Sequence, residues 1–242
     1  MSRFGIYVHE LDEIEKAELE IIKILNLNFL NNQGIYTHFS SADTDDIEFT
    51  NKQYLIFINT IKAVEDKGYI FRLKHCSNSA GIIKHNDKNL SMVRAGIALY
   101  GYPPVLANEL FKPVMEVLAR VISIREIKPG DSVSYGRIYK PKTVERIATV
   151  AIGYADGYSR HFGYGDYFCY KDYRFFVVGR VCMGATMIKI DSAKIKVGDF
   201  VEIFGNKKSL DELAKRVKTI PYELLTNMAK KRANFRYLKT HE

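Results

Sequence analysis

Apolar residues recur with helical spacing in two stretches of the first hundred residues. One face of each predicted helix is apolar: Ile14, Ala17, Ile21, Ile22 and Leu25 in the first, and Tyr54, Phe57, Ile58, Ile61 and Val64 in the second. Short apolar runs near 3–7, 34–39, 69–76 and 92–99 alternate with these stretches and predict buried strands. The alternation indicates a parallel sheet built from βα units.

The pattern changes after Lys112. From there, turn clusters such as Pro129-Gly130-Asp131 and Val197-Gly198-Asp199 separate β-branched runs, which predicts a mostly antiparallel β domain. The runs are 114–127, 128–139, 145–158, 172–190 and 196–204. A closing helix is expected to begin at Ser209, with Glu212 completing a capping box. We therefore predict two domains, a partial barrel over residues 1–112 and a C-terminal β domain over residues 113–242.

The number of βα units limits the possible α/β folds. Four units make half of an eight-stranded barrel, and half a barrel leaves two edge strands and an open apolar interior. The sequence is thus expected to hold the C-terminal half of a (β/α)8 TIM-type barrel and to be truncated at its front. The alternative is an open α/β sheet closed by the C-terminal region.

Composition narrows the class of protein. With 242 residues, 47% of them hydrophobic, the chain can bury a core, and it has neither a membrane-spanning apolar run nor a signal-peptide pattern. We expect a cytoplasmic protein without a membrane partner. Three cysteines without metal-type spacing predict reduced thiols and no metal site. The net charge of +8 is spread along the chain without an RNP-type signature, which argues against nucleic acid as a partner.

Two loops of small residues flank an arginine. The first, residues 77–81 (SNSAG), can offer hydroxyl and backbone donors to an anion, and Gly96-Ile97 can do the same. Arg94, between them, is a planar donor that keeps its proton. This arrangement predicts a site for a phosphate-bearing cofactor. The alternative is that the glycines only form turns.

Seven segments together resemble the alanine racemase family. They are MSRFG, YTHFSSAD, HCSNSAG, SMVRAGIALYGYPP, KPGDSVSYGRIY, AIGYADGYSR and VGRVCMG, which occur in this order, and the resemblance covers residues 1 to about 228. The resemblance implies an isomerase that uses pyridoxal 5′-phosphate (PLP) to interconvert L- and D-alanine for cell-wall peptidoglycan. It also implies an N-terminal barrel, a C-terminal β domain, and a homodimer whose active site is shared across subunits.

The resemblance assigns cofactor-binding roles by position. Ser79 and the backbone of Gly96 and Ile97 would hold the phosphate, which agrees with the interpretation of the two loops. Arg94 would face the pyridine nitrogen, and His38 would lie beside the ring and bond to Arg94.

Further roles concern the substrate. Racemisation needs a base on each face of the α-carbon, and Tyr135 matches the tyrosine that serves one face. Arg3 matches the arginine that orients the substrate carboxylate. Tyr154 and Met183 match positions that line the substrate region and come from the partner subunit. Without the resemblance, packing in the β domain would explain Tyr154 and Met183.

One departure from the family pattern affects function. The second base is the lysine that binds the cofactor covalently, in a KANAYG-like segment that this sequence does not contain. A polypeptide of this sequence alone is therefore expected not to racemise alanine. Three alternatives stay open: a non-catalytic PLP-binding or remnant protein, a related amino-acid decarboxylase, and a basic nucleic-acid-binding β domain.

Overall fold

A computed structural model describes residues 5–106, 111–190, 195–228 and 233–238. The chain divides into two compact units, Met1–Lys112 and Pro113–Glu242. In the described ranges, no helix has both the length and the apolar character needed to cross a membrane.

Three α-helices lie in the described part of the first unit. The two predicted from periodicity are confirmed as α1, Ile14–Leu25, and α2, Ile47–Glu65. Asp46 caps α2 by accepting a hydrogen bond from the Phe49 amide at 3.0 Å. The short helix α3, Ser79–Lys84, follows a loop in which Asn78 accepts from the Gly81 amide, also at 3.0 Å.

Two short parallel strands lie between these helices. They are β1, Gly34–Tyr36, and β2, Leu73–His75, with Gly34 opposite Leu73. A Cβ at residue 34 would lie 2.2 Å from the Leu73 carbonyl oxygen, so the strands can approach this closely only with a glycine there. Parallel pairing agrees with the predicted βα rhythm.

The remaining strand predictions of this unit are not met. Residues 5–7 are not a strand, and the prediction of a strand at 92–99 is wrong because Ile97–Tyr100 form a 3₁₀ turn. The segment still follows β2: the Lys74 amide donates to Ser91 Oγ at 2.7 Å, and the Arg94 amide donates to the Ser77 carbonyl at 3.0 Å. The Ser91 hydroxyl thus takes the place of a backbone carbonyl next to β2, so the backbone hydrogen bonds of a β-strand do not form here.

Buried apolar residues join these elements into one core. Its members come from the loop after β1, from α2 and from the region around β2: Phe39, Ala42, Phe57, Ile61, Val64, Phe71, Cys76 and Ala80. Phe39 and Cys76 directly follow the segments that carry His38 and His75, so the packed core fixes the carboxyl ends of both strands.

The described part of the second unit contains six strands: β3, Val117–Ile127; β4, Glu145–Val150; β5, Tyr167–Tyr170; β6, Tyr173–Phe176; β7, Thr186–Ile190; and β8, Phe200–Phe204. They form an antiparallel sheet in the order β6-β5-β8-β3-β4-β7. An isolated bridge between Val177 and Ile188 joins the end of β6 to β7, so the sheet nearly closes on itself. The helices α4, Leu210–Arg216, and α5, Pro221–Met228, follow.

The predicted capping box of α4 does not form. Ser209 is the N-cap, as expected, and its Oγ accepts from the Asp211 amide at 3.1 Å. The Glu212 carboxylate instead accepts from the Tyr167 hydroxyl at 2.9 and 3.0 Å. A contact between α4 and β5 has therefore taken the place of the local one.

A buried ion pair lies inside the second unit. Lys208 Nζ is 2.5 Å from Asp166 Oδ1, and both side chains are almost fully excluded from solvent. The Tyr158 hydroxyl donates to the other Asp166 oxygen, and the Tyr167 carbonyl accepts from Lys208 at 2.8 Å. Burial lowers the pKa of Lys208, while the charge of Asp166 opposes that shift. The pair links β5 to the loop before α4.

Candidate functional site

The carboxyl ends of β1 and β2 lie side by side in the first unit, because the strands are parallel and adjacent. His38 follows β1, and His75 is the last residue of β2. Arg94 comes from the segment that runs alongside β2, on the side of β2 that faces away from β1. Three of the chain's polar side chains therefore meet where parallel α/β folds place their sites.

Arg94 is the centre of this cluster. Its guanidinium donates to the Thr37 carbonyl at 2.9 Å and to the Cys76 carbonyl at 3.1 Å. The same group lies 3.3 Å from His38 Nδ1 and in hydrogen-bond contact with His75 Nδ1. The predicted contact between His38 and Arg94 is thus present in the structure, although the role assigned to either residue stays a proposal.

The contact with Arg94 bears on the protonation of His75. A guanidinium only donates hydrogen bonds, so His75 Nδ1 accepts only if it carries no proton, which leaves the ring neutral with its proton on Nε2. His38 instead meets a donor at each ring nitrogen, Arg94 at Nδ1 and the Asn78 amide nitrogen at Nε2, 3.5 Å away. Burial, and secondly the positive charge of Arg94, lower the pKa of His75, which agrees with a neutral ring. Tyr36 stacks on His75 with ring centroids 5.1 Å apart.

Ser79 joins the two small-residue loops. Its buried Oγ accepts from the Gly96 amide at 2.9 Å and from the Ala98 amide at 3.3 Å. Ile97 lies between these two amides and is also buried, whereas Gly96 is exposed. A Cβ at residue 96 would lie 3.7 Å from Ser79 Oγ, which is ordinary van der Waals contact. Ser79, Gly96 and Ile97 are therefore brought together.

The hydroxyl and amides at Ser79 have the chemistry that a phosphate needs. In the structure the amides point at the hydroxyl oxygen, and a bound phosphate would share or replace that acceptor. At the neighbouring start of α3, the Gly81 amide is already bonded to Asn78 Oδ1. The donors open to an anion are thus expected on the side of Gly96 rather than in the helix α3.

Tyr135 lies in the second unit on a tight loop between β3 and β4. The loop closes through the Val133 amide, which donates to the Tyr139 carbonyl at 2.9 Å. Tyr135 opens a 3₁₀ turn, and 69% of its surface is exposed. Ser134 Oγ contacts the backbone of Arg180, so this loop lies against the segment 179–183.

The segment 179–183 includes Met183 and is hydrogen-bonded to the backbone of Tyr154. The Tyr154 amide donates to the Cys182 carbonyl at 3.0 Å, and the Ala155 amide donates to the Met183 carbonyl at 2.9 Å. A Cβ at Gly153 would lie 2.2 Å from the Cys182 carbonyl oxygen, so glycine is required for this approach. Tyr154 and Met183 are 45% and 61% exposed, which argues against the interpretation of both as buried packing residues.

For two residues, the sequence prediction and the structure do not overlap. Arg3, predicted to contact the substrate carboxylate, lies outside the described residues. His75 received no role, although its contact with Arg94 mirrors that of His38. The signal was its place at the end of β2, which corresponds to that of His38 after β1. In the described ranges, no group of three or more His, Cys, Asp or Glu could hold a metal ion.

Comparison with protein families decides what kind of molecule this is. Residues 1–104 match the model of the alanine racemase N-terminal domain, and residues 114–237 match that of the alanine racemase C-terminal domain. The chain belongs to the alanine racemase family. The resemblance seen in the seven segments is confirmed. So is the expected fold class, an α/β unit of TIM-barrel type followed by a mostly antiparallel β domain.

Curated and solved alanine racemases support the same assignment. The alanine racemase of Methanococcus maripaludis is 38% identical over 235 residues, which cover 93% of this chain and 61% of that protein. The structure of the Clostridium difficile 630 enzyme matches with a TM-score of 0.86 and 38% identity, over 96% of this chain and 60% of that one. The Bartonella henselae enzyme, solved with covalently bound pyridoxal phosphate, matches with a TM-score of 0.78 and 27% identity, over 95% and 62%.

The alignments cover only part of each relative. The chain spans about three fifths of the length of the alanine racemases that it matches. Within this chain, residues 1–104 match the N-terminal domain model and residues 114–237 match the C-terminal domain model. The match of residues 114–237 favours a racemase β domain over a nucleic-acid-binding one.

Proposed function

We propose that this chain supplies the cofactor-binding cluster and one of the two catalytic bases of a PLP-dependent alanine racemase. The reaction would interconvert L- and D-alanine and provide D-alanine for peptidoglycan. Support comes from the family membership of both domains and from relatives named alanine racemase. The Bartonella henselae relative with covalently bound pyridoxal phosphate supports the choice of cofactor.

The observation that carries the proposal is the pair of adjacent donor groups in the first unit. The Ser79 hydroxyl meets the Gly96 and Ala98 amides at one place, and Arg94 presents its guanidinium at the ends of β1 and β2. The first group fits a phosphate, and the second fits a ring nitrogen that accepts a hydrogen bond. PLP carries both features on one small molecule.

Bound at this site, PLP would supply an electron sink for negative charge at the substrate α-carbon. Arg94 keeps its proton, so it gives the ring nitrogen a hydrogen bond and leaves it largely unprotonated. His38 and His75 accept from Arg94 and hold its planar group in place. Because the ring nitrogen is largely unprotonated, the electron sink would be weaker, and this would limit side reactions at the α-carbon.

Tyr135 is the proposed base for one face of the α-carbon. Its exposure suits a residue that acts outside its own unit, and we assign it to the active site of a partner subunit in a homodimer. Tyr154 and Met183, held by the same segment, are proposed to line the substrate region there. Arg3 is proposed to orient the substrate carboxylate by its positive charge.

A second candidate function is non-catalytic PLP binding. It needs only the donor groups around Ser79 and Arg94, and none of the proposed substrate residues. Both functions predict PLP binding, and they differ in whether a supplied lysine segment restores turnover. For either function we propose the cytoplasm as the location, where Cys76, Cys169 and Cys182 would stay reduced.

Reconstitution of activity tests the proposal. The 242-residue polypeptide is mixed with PLP and with the part of the Clostridium difficile enzyme that it does not match, and D-alanine formed from L-alanine is measured. We expect no turnover from the polypeptide alone and measurable turnover from the mixture. Tyr135→Phe should lower this rate by about 100-fold or more, with PLP affinity changed less than about twofold.

The matched control is Tyr173→Phe, which alters another exposed tyrosine of the same unit. It should leave the rate unchanged. Full activity in Tyr135→Phe would contradict the assigned base, and loss of PLP binding in that variant would contradict its separation from the cofactor cluster. A mixture that binds PLP without turnover would favour the non-catalytic candidate.

A further inference from the structure

Ser134, the residue before Tyr135, has an unusual backbone conformation. Its φ and ψ are 72° and 172°, in a region that is occupied almost only by glycine. Gly136 and Arg137 follow with φ of 74° and 51°. A glycine at residue 134 would adopt this conformation without strain, so the serine side chain must be held by its surroundings.

Two hydrogen bonds to a single residue hold the Ser134 side chain. Its Oγ accepts from the Arg180 amide at 2.8 Å and donates to the Arg180 carbonyl at 3.1 Å. The neighbouring Gly179 has φ of 77°, and a Cβ there would lie 2.4 Å from Ser134 Cβ. Any side chain at residue 179 would clash with Ser134, so the loop can approach this segment only because residue 179 is a glycine. We name this two-bond contact between Ser134 and Arg180 the serine clamp.

The serine clamp joins Tyr135 to the other predicted substrate residues. The segment 179–183 that receives it also accepts hydrogen bonds from the Tyr154 and Ala155 amides. Movement of the Ser134 loop would therefore change the place of Tyr135 relative to Tyr154 and Met183. The exposed Tyr135 ring cannot rely on a packed core for its position, because 69% of its surface is open to solvent.

We propose that Ser134 is a positioning residue, which fixes Tyr135 beside the segment 179–183 through the serine clamp. The catalytic consequence rests on the proposed function, in which Tyr135 is a base. The geometric claim does not need the reaction. Ser134 acts through Tyr135 and touches neither substrate nor cofactor in this account.

The experiment measures the environment of Tyr135 directly. The 242-residue polypeptide is labelled with 3-fluorotyrosine, and the Tyr135 signal is assigned by its loss in Tyr135→Phe. Ser134→Gly removes the hydroxyl and relieves the backbone, whereas Ser134→Ala removes only the hydroxyl. Ser132→Ala is the matched control, since Ser132 Oγ accepts from Arg137 Nε at 3.0 Å within the same loop and does not form the serine clamp.

In Ser134→Gly and Ser134→Ala, we expect the Tyr135 fluorine signal to move toward that of an unfolded peptide. The exchange rate of the Val133 amide, which closes the loop by donating to the Tyr139 carbonyl, should rise about tenfold or more, a change of about 1.4 kcal/mol in local opening. The other tyrosine signals should stay in place. Ser132→Ala should change the exchange rate less than about threefold.

An unchanged Tyr135 signal and an unchanged Val133 exchange rate in Ser134→Gly would overturn the proposal. Displacement of all tyrosine signals together would also overturn it, because that result would mean general destabilisation rather than positioning. Neither measurement uses PLP or turnover. Failure of the racemase reconstitution would therefore leave the serine clamp standing, and failure of the serine clamp would leave the racemase proposal standing.

Discussion

The two units present their candidate residues in opposite ways. In the first unit, the guanidinium of Arg94 forms part of the framework, because its hydrogen bonds tie the ends of β1 and β2 together. In the second unit, Tyr135 and Met183 project into solvent from a loop and a segment that backbone contacts hold. The first cluster is suited to holding a ligand within its own unit, and the second is suited to acting on a neighbouring surface.

This contrast separates stability from function. A change at Arg94 should alter both the folding of its unit and ligand binding. A change at Tyr135 should alter function alone, because the stability of the second unit comes from its interior. The buried Lys208–Asp166 pair is the clearest part of that interior.

The largest expected effect comes from breaking this ion pair. Asp166→Ala leaves the Lys208 ammonium buried without its partner and should lower the free energy of unfolding of the second unit by about 3–5 kcal/mol. Urea unfolding followed by amide signals of each unit measures the loss. Asp172→Ala, which removes an exposed partner of Lys207, should cost less than about 1 kcal/mol. If both variants lost the same free energy of unfolding, the buried ion pair would not be a main source of the stability of the second unit.

Arg94→Ala should have the next largest effect. It removes the donors to the Thr37 and Cys76 carbonyls and to two histidines, which should destabilise the first unit by about 2–4 kcal/mol. The control Arg72→Ala changes an exposed arginine beside β2 and should cost less than about 0.5 kcal/mol. If Arg94→Ala were as stable as the control, Arg94 would not belong to the framework.

Acid should weaken the first unit through its histidines. Burial lowers the pKa of His75 and of His85, with further lowering by the positive charges of Arg94 and Lys88. Below the ordinary histidine pKa of about 6.5, the unfolded chain binds protons that the folded unit resists, so stability present above this pH falls as pH decreases. The free energy of unfolding of the first unit, measured by urea unfolding at each pH, should therefore fall between about pH 7 and 5.

His75→Asn should reduce this pH dependence, because it removes a ring whose pKa is lowered by burial. The expected result is a shallower slope of the free energy of unfolding against pH in the first unit. A slope equal to that of the unchanged chain would mean that His75 is not held neutral by Arg94.

The smallest effect on stability is expected at Tyr135. Tyr135→Phe removes an exposed hydroxyl, so the midpoint of urea unfolding of the second unit should shift by less than the equivalent of about 0.5 kcal/mol. Thermal or urea unfolding measures this. A loss above about 1 kcal/mol would show that Tyr135 supports the fold, and the contrast between the two units would then fail.

The sequence predicted the larger elements of the fold well. Helical periodicity located α1 and α2, and β-branched runs located β3, β4 and β8, because each pattern reports directly which side of an element is buried. It did not predict β5, whose four residues lie among glycines and tyrosines. The capping box also failed, since Glu212 found a partner on β5 that is distant in sequence.

The geometry of the candidate site was predicted in part. The sequence singled out Ser79, Gly96 and Ile97 because small-residue loops have a local pattern, and the contacts of Ser79 Oγ show that they lie together, while their role in binding phosphate stays a proposal. His75 and Ser134 were missed, because their roles depend on tertiary partners, Arg94 for one and Arg180 for the other. No periodicity reports a hydrogen bond between distant residues, nor a serine in a glycine conformation.

The most direct test of the central claim is a titration of the polypeptide with PLP and with pyridoxal, which lacks the phosphate, followed by absorbance and calorimetry. We predict saturable binding of one PLP per chain, with pyridoxal bound about tenfold or more weakly. Ser79→Ala should largely remove that difference, whereas Ser132→Ala should preserve it. Equal affinities for PLP and pyridoxal in the unchanged chain would contradict a phosphate site at Ser79 and Gly96.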